Sequence, residues 1–186
     1  MKYRLCRMLA AASLVLAAGA HAQAPSQAAN CVTCHGQQGE SINPQWPNLA
    51  GQHADYLAEQ ITAFRDGTRE NAAMMPFVKN LDEKDIRELA DYYASLPRKV
   101  SSSGDSDLVE RGRNLAGYCA ACHGMRGEPV ANNWPILAGQ QAPYLAQQLR
   151  AYKSGKRVHS LMQAALASLS EEEFSALAAY YSQLEP

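Results

Sequence analysis

Cys31-Val32-Thr33-Cys34-His35 returns 88 residues further on as Cys119-Ala120-Ala121-Cys122-His123. The offset then holds without a gap: Trp46 falls on Trp134, Gly51 on Gly139, Met74 on Met162, and Tyr92-Tyr93 on Tyr180-Tyr181. Aligning 31–96 with 119–184 gives 28 identities in 66 positions. Shared composition does not produce such a match, so the chain holds two copies of one small unit. Two copies at this period are too few and too long for a solenoid, which stacks repeats of roughly 20–50 residues.

Each copy reads as helical. Leu57, Ile61 and Phe64, and again Leu145, Leu149 and Tyr152, recur at helical spacing, and Gly67 or Gly155 follows as a stop. The last element starts at Asp82 or at Ser170, where Ser170 and Glu173 form a capping box. Its apolar stripe of Ile86, Leu89, Ala90 and Tyr93 repeats as Phe174, Leu177, Ala178 and Tyr181. No sustained period-two alternation occurs, so the expected fold class is all-α. The polar, Ser-rich run from Pro97 to Asp105 reads as a linker, which sets the units at 23–97 and 106–186 with 98–105 between them.

Ahead of the first copy, Lys2, Arg4 and Arg7 precede a short apolar run from Met8 to Gly19 that ends in Ala20-His21-Ala22. The run is well short of the ~20 residues a transmembrane helix needs, and Ala-x-Ala is a signal-peptidase pattern. Residues 1–22 therefore read as a cleaved secretory signal, with Ala18-Gly19-Ala20 as a second cleavage option, and the mature chain is expected in an oxidising compartment. The precursor of 186 residues carries a net charge of −1. Without residues 1–22, fourteen basic residues face eighteen acidic ones, a net charge of −4. No Lys/Arg-rich block marks a nucleic-acid binder. Cys6 leaves with the signal, and the four remaining cysteines belong to the two repeated motifs.

Cys-x-x-Cys-His in a secreted chain is the attachment signal for c-type haem. Thiols three residues apart lie on one side of a helical turn and can each add to a vinyl group, while the adjacent imidazole faces the iron. A thioredoxin-like redox pair would need a βαβ context, and structural zinc would need two further close ligands; the sequence offers neither. Cys31, Cys34, Cys119 and Cys122 are thus the expected covalent anchors of two haem c groups, with His35 and His123 as iron ligands. A small helical unit buries little apolar surface and needs such a group to fill its core. For the sixth position, Met74 and Met162 stand in register, each 39 residues after its histidine. Met75 is the alternative in the first copy, but it maps on Gln163.

These residues, with the shared W-P-x-L-A-G-Q-x-A-x-Y-L-x-x-Q run, the G-x-R that follows and the registered methionine, resemble the dihaem cytochrome c4 family across nearly all of the mature chain. The resemblance implies two tandem class I cytochrome c-like domains, each wrapped around one covalent haem. It implies electron transfer in the periplasm, one electron per haem, between a cytochrome bc1-type complex or dehydrogenase and a terminal oxidase, with peripheral association with membrane complexes. It also implies that the carbonyls of Pro47 and Pro135 accept hydrogen bonds from the proximal imidazoles. A tightly bound subunit of a periplasmic dehydrogenase is the second reading, and a haem peroxidase, which needs an open sixth position, the third. The expected role is a carrier, not an enzyme.

One departure concerns the start of each unit. Asp107 to Leu115 reads as the family's first helix, with Gly112 allowing close approach to the terminal helix, whereas only about eight residues precede Cys31 and they are poor helix formers. The first unit is therefore expected to be the less stable, or to have the exposed face of its terminal helix covered by another surface. Arg69 and Arg157 read either as propionate partners or as solvated helix-end residues. His53 and His159, without histidine counterparts, read as surface positions. The acidic balance suits a basic docking patch on a redox partner.

Overall fold

The computed structural model describes residues 23–100 and 105–185, so the expected signal segment lies outside the described residues. In the first unit a single 3-10 turn, Ser26–Asn30, leads into α1 (Val32–His35), α2 (Ala54–Arg65), α3 (Met75–Val78) and α4 (Glu83–Ala94). The second runs α5 (Ser106–Leu115), α6 (Gly117–His123), α7 (Ala142–Lys153), α8 (Ser160–Leu166) and α9 (Glu171–Ser182). No strand occurs among the described residues.

The helix limits follow local chemistry. Gly67 and Gly155 take φ of +74° and +76° directly after α2 and α7, the left-handed turn that ends a helix. Ser170 and Glu173 form the expected capping box of α9. Asp82 and Asp85 form the same reciprocal pair at the head of α4, with Asp85 in the place usually held by Glu or Gln. In each unit the long helices close on one apolar cluster: Leu57 on α2 meets Leu89, Ala90 and Tyr93 on α4, and Leu145 on α7 meets Leu177, Ala178 and Tyr181 on α9.

The units differ at their entrances. α5 lies against α9 so closely that a Cβ at Gly112 would sit 2.0 Å from the carbonyl oxygen of Ala176. Asp105 caps α5 by accepting hydrogen bonds from the N–H groups of Asp107 and Leu108. Among the described residues, α4 has no such neighbour. The 3-10 turn buries only Ala28 in the first core and ties to α4 through a hydrogen bond from the Gln27 amide to Asp85. That side of α4 also differs in its chemistry. Where α9 buries Ala176 and Ala179 under α5, α4 carries Glu88 and Asp91, which pair with Lys84 and Arg87 one turn back.

Candidate haem-binding site

The two units meet through contacts that come in pairs. The Gln52 side chain donates to the carbonyl of Ile136 and accepts from its N–H (2.9 and 2.8 Å), and Gln140 does the same to Asn48 (2.9 and 2.8 Å). The N–H of Tyr56 donates to the carbonyl of Asn132, and that of Tyr144 to the carbonyl of Pro44. Each residue of one pair is the 88-offset counterpart of a residue in the other, so the contact is self-complementary about a local two-fold. His53 is part of it, its Nδ1 hydrogen-bonding the carbonyl of Trp134 at 2.9 Å. This corrects its reading as a surface residue.

The arginines resolve the same way. Arg69 stacks over Phe64 of its own unit (4.4 Å) and donates to Tyr144 Oη and Gln148 Oε1 of the other. Arg157 stacks over Tyr152 (4.5 Å) and donates to Tyr56 Oη and Gln60 Oε1. Arg157 is only 7% exposed, so it is no solvated helix end. Neither guanidinium forms an ion pair among the described residues, and both line the cavity described next.

A single cavity of about 920 Å³ runs through both units. Its first lobe is lined by Cys31, Cys34, His35 and Met74, and its second by Cys119, Cys122, His123 and Met162; Met75 does not line it. The remaining wall is apolar and registered, with Leu57, Leu89 and Tyr93 answering Leu145, Leu177 and Tyr181. His35 lies at the end of α1 and His123 at the end of α6, each buried. Nδ1 of His35 is 2.9 Å from the carbonyl oxygen of Pro47, and Nδ1 of His123 is 3.2 Å from that of Pro135. A carbonyl only accepts, so Nδ1 carries the proton and Nε2 keeps its lone pair.

Burial pushes both imidazoles below the usual histidine range despite those hydrogen bonds, which favours the neutral, ligating form. Nε2 of His123 is buried without a hydrogen-bond partner, an arrangement that costs free energy unless something fills the coordination site. All four cysteines are free thiols. Burial raises the Cys31 and Cys119 thiols, and the buried phenols of Tyr93 and Tyr181 beside them are likewise pushed well up. Among the described residues no group of three or more His, Cys, Asp or Glu side chains is placed to hold a metal alone. The site therefore fits a flat apolar macrocycle that brings its own iron: paired thiols, a free imidazole nitrogen, a thioether, and two arginines in the wall able to pair with carboxylates.

The backbone ahead of each methionine is set by residues the motif gave no reason to single out. Asn71 Oδ1 accepts from the N–H groups of Ala73 and Met74. At the equivalent position His159 Nδ1 accepts from the N–H of Met162, so this histidine caps α8. Gln52, Gln60 and their counterparts Gln140 and Gln148 were also invisible as site residues, although their identity between copies was a signal.

Residues 19–92 match the family described as cytochrome c oxidase, cbb3-type, subunit III, and residues 109–185 match cytochrome c. Cytochrome c4 from Pseudomonas aeruginosa is 34% identical over 181 residues, 90% of this chain and 90% of that protein. The chain belongs to the cytochrome c4 family. Reduced recombinant cytochrome c4 from Pseudomonas stutzeri superposes with a TM-score of 0.81 at 28% identity, over 86% of this chain and 95% of that one. A thiosulfate dehydrogenase (TsdBA) from Marichromatium purpuratum matches with a TM-score of 0.73 at 34% identity, over 82% of this chain and 36% of that one. As a cytochrome c4-type protein with two cytochrome c domains, the chain carries two covalent haem c groups and acts as an electron carrier.

Proposed function

We propose that this chain is a periplasmic carrier, exported by residues 1–22, that takes electrons from a respiratory complex or dehydrogenase and delivers them to a terminal oxidase. In this reading Cys31, Cys34, Cys119 and Cys122 hold the haems as thioethers, His35 and His123 ligate iron on one side, and Met74 and Met162 on the other. The domains are 23–97 and 106–186, joined by 98–105. The haem supplies reversible one-electron chemistry at iron when bound. The protein does the rest: Pro47 and Pro135 fix the imidazole planes, the apolar walls exclude water, and Arg69 and Arg157 place positive charge at the domain junction, where haem carboxylates need it.

The observation that carries the reading is the cavity whose two lobes each gather one histidine and the registered methionine. Described helices offer no span long and apolar enough to cross a membrane. The ligand set is tested by ferric spectra of Met74→Ala, Met162→Ala and Met75→Leu holoproteins. Each of the first two should remove about half of the Met–iron charge-transfer band, and Met75→Leu none; a band lost in Met75→Leu would reassign the first ligand. The likeness to TsdBA favours a second reading, in which the chain is the tightly bound haem subunit of a dehydrogenase. Affinity isolation of the mature protein decides between them, since a stoichiometric dehydrogenase would replace the free carrier.

A further inference from the structure

The two mouths of the cavity are unlike although the folds around them repeat. In the second domain Tyr118 and Leu161 line the cavity while remaining 85% and 58% exposed. Their counterparts at the first mouth are Asn30 and Ala73, which line it at the same places. Close by in the chain, exposed Met125 and Val158 stand where the first domain has Gln37 and Glu70. Four positions in one register are thus apolar in one copy and polar or small in the other. Apolar side chains so exposed beside a cavity have no folding role and mark contact sites; the first mouth has its own in Phe77 and Trp46, 46% and 38% exposed, so charge decides which partner each mouth suits.

Charge divides the same way. The stretches 111–127 and 129–170, which carry the second Cys-x-x-Cys-His motif, α7 and α8, contain no Asp or Glu at all. Arg111 and Arg150 are occupied by Glu172 and Glu171, but Arg113, Arg126, Lys153 and Lys156 are exposed and form no ion pair among the described residues. The matching stretches of the first domain carry Asp55, Glu59, Asp66, Glu70 and Asp82 against three cations. The net charge of −4 therefore lies in the first domain, where 23–97 hold five basic and ten acidic residues, while 106–186 balance at seven each with every acid outside these stretches; the stretches themselves are cationic, which reverses the sequence expectation of a basic partner on this side of the molecule.

We infer that the second domain's haem mouth is a docking site for a redox protein whose contact face is apolar at its centre and rimmed by carboxylates. The inference rests on the electron-carrier reading. Tyr118 and Leu161 would make the dry contact beside the haem edge, and the surrounding cations would steer encounter.

The test uses the dihaem holoprotein and a reduced plant-type [2Fe–2S] ferredoxin, a small acidic protein, in stopped-flow reduction at several salt concentrations. The wild-type rate should fall as salt rises. Arg126→Glu with Lys156→Glu should slow it roughly tenfold at low salt and flatten its salt dependence, with reduction by a neutral small-molecule reductant unchanged. Tyr118→Asn with Leu161→Ala should slow it severalfold at every salt concentration, with the Met–iron band retained as a check on folding. Glu59→Lys with Glu70→Lys, at the first domain, should leave it within about twofold. If ferredoxin reduces the haems at a rate indifferent to the second-domain variants, the docking site falls and the carrier reading stands. If the small reductant reduces both haems and ferredoxin neither, the docking site falls; if the small reductant reduces neither haem, the carrier reading itself falls. Self-association that disappears in Tyr118→Asn with Leu161→Ala would assign the patch to a second copy and overturn the proposal.

Discussion

α4 and α9 are the same helix in two settings. Both have twelve residues, both open on a capping box, and both bury the same apolar stripe against the domain core. α9 is covered on a second side by α5, against Ala176, and buries Ala176 and Ala179 there. α4, with Glu88 and Asp91 at those two positions, turns that side to water. A missing helix is thus not a defect left open. The sequence under it changed from small residues that admit a close neighbour to charges that do not need one. What the first domain loses is buried area, and surface ion pairs return little of it, about 0–1 kcal/mol each.

Changes at four places press on this contrast. Gly112→Val should have the largest effect, since its side chain would occupy the space of the Ala176 carbonyl and the Tyr180 Cβ. A loss of about 3 kcal/mol confined to the second domain is expected. Denaturation followed through Trp134 fluorescence in a Trp46→Phe background reads it, and an equal loss in the first domain would break the claim that the clamp is local. Next, Gln52→Leu with Gln140→Leu strands backbone groups at the junction, at about 2 kcal/mol. The first domain, with the smaller core, should show the greater fall in denaturation midpoint, and equal falls would mean that it does not lean on its neighbour.

Ser170→Ala should cost the second domain about 1 kcal/mol by removing its cap. Hydrogen bonds from Ser170 hold the Glu173 carboxyl below its usual range. Its contribution is therefore present above the unfolded carboxyl pKa and lost as pH falls through the lower folded one. Because the larger of those bonds comes from the Ser170 backbone N–H, Glu173→Gln is the variant that should flatten the acid side of the stability profile, and an unaltered profile would contradict the cap. Smallest of all, Glu88→Ala with Asp91→Ala should change stability by under about 0.5 kcal/mol while increasing binding of a hydrophobic dye. A marked stabilisation would show that α4 was waiting for a partner after all.

The repeat, the helices and the thiol–histidine motifs were legible because each rests on local spacing. Met74 and Met162 were legible through register alone. The junction was not, because its pairs join residues 75 to 101 apart whose types, Gln, Tyr and Arg, carry no period. The arginines show the gap best: their shared register was plain, yet each finds its partners in the opposite domain, which no reading of one copy reveals. The Asp82 box was missed for a simpler reason, that aspartate can serve at the third position when its side chain reaches back to the cap N–H.

The two-fold junction has a bearing on how the halves diverge. In a pair of separate identical chains, any substitution on such a surface enters the contact twice and must suit both places at once. Joined in one polypeptide, the halves hold each other at high local concentration, and each position answers for itself. His53 reaching to Trp134, where its counterpart Gln141 reaches to Ser41, is that freedom already exercised. The unlike mouths are the same freedom exercised where other proteins meet the molecule.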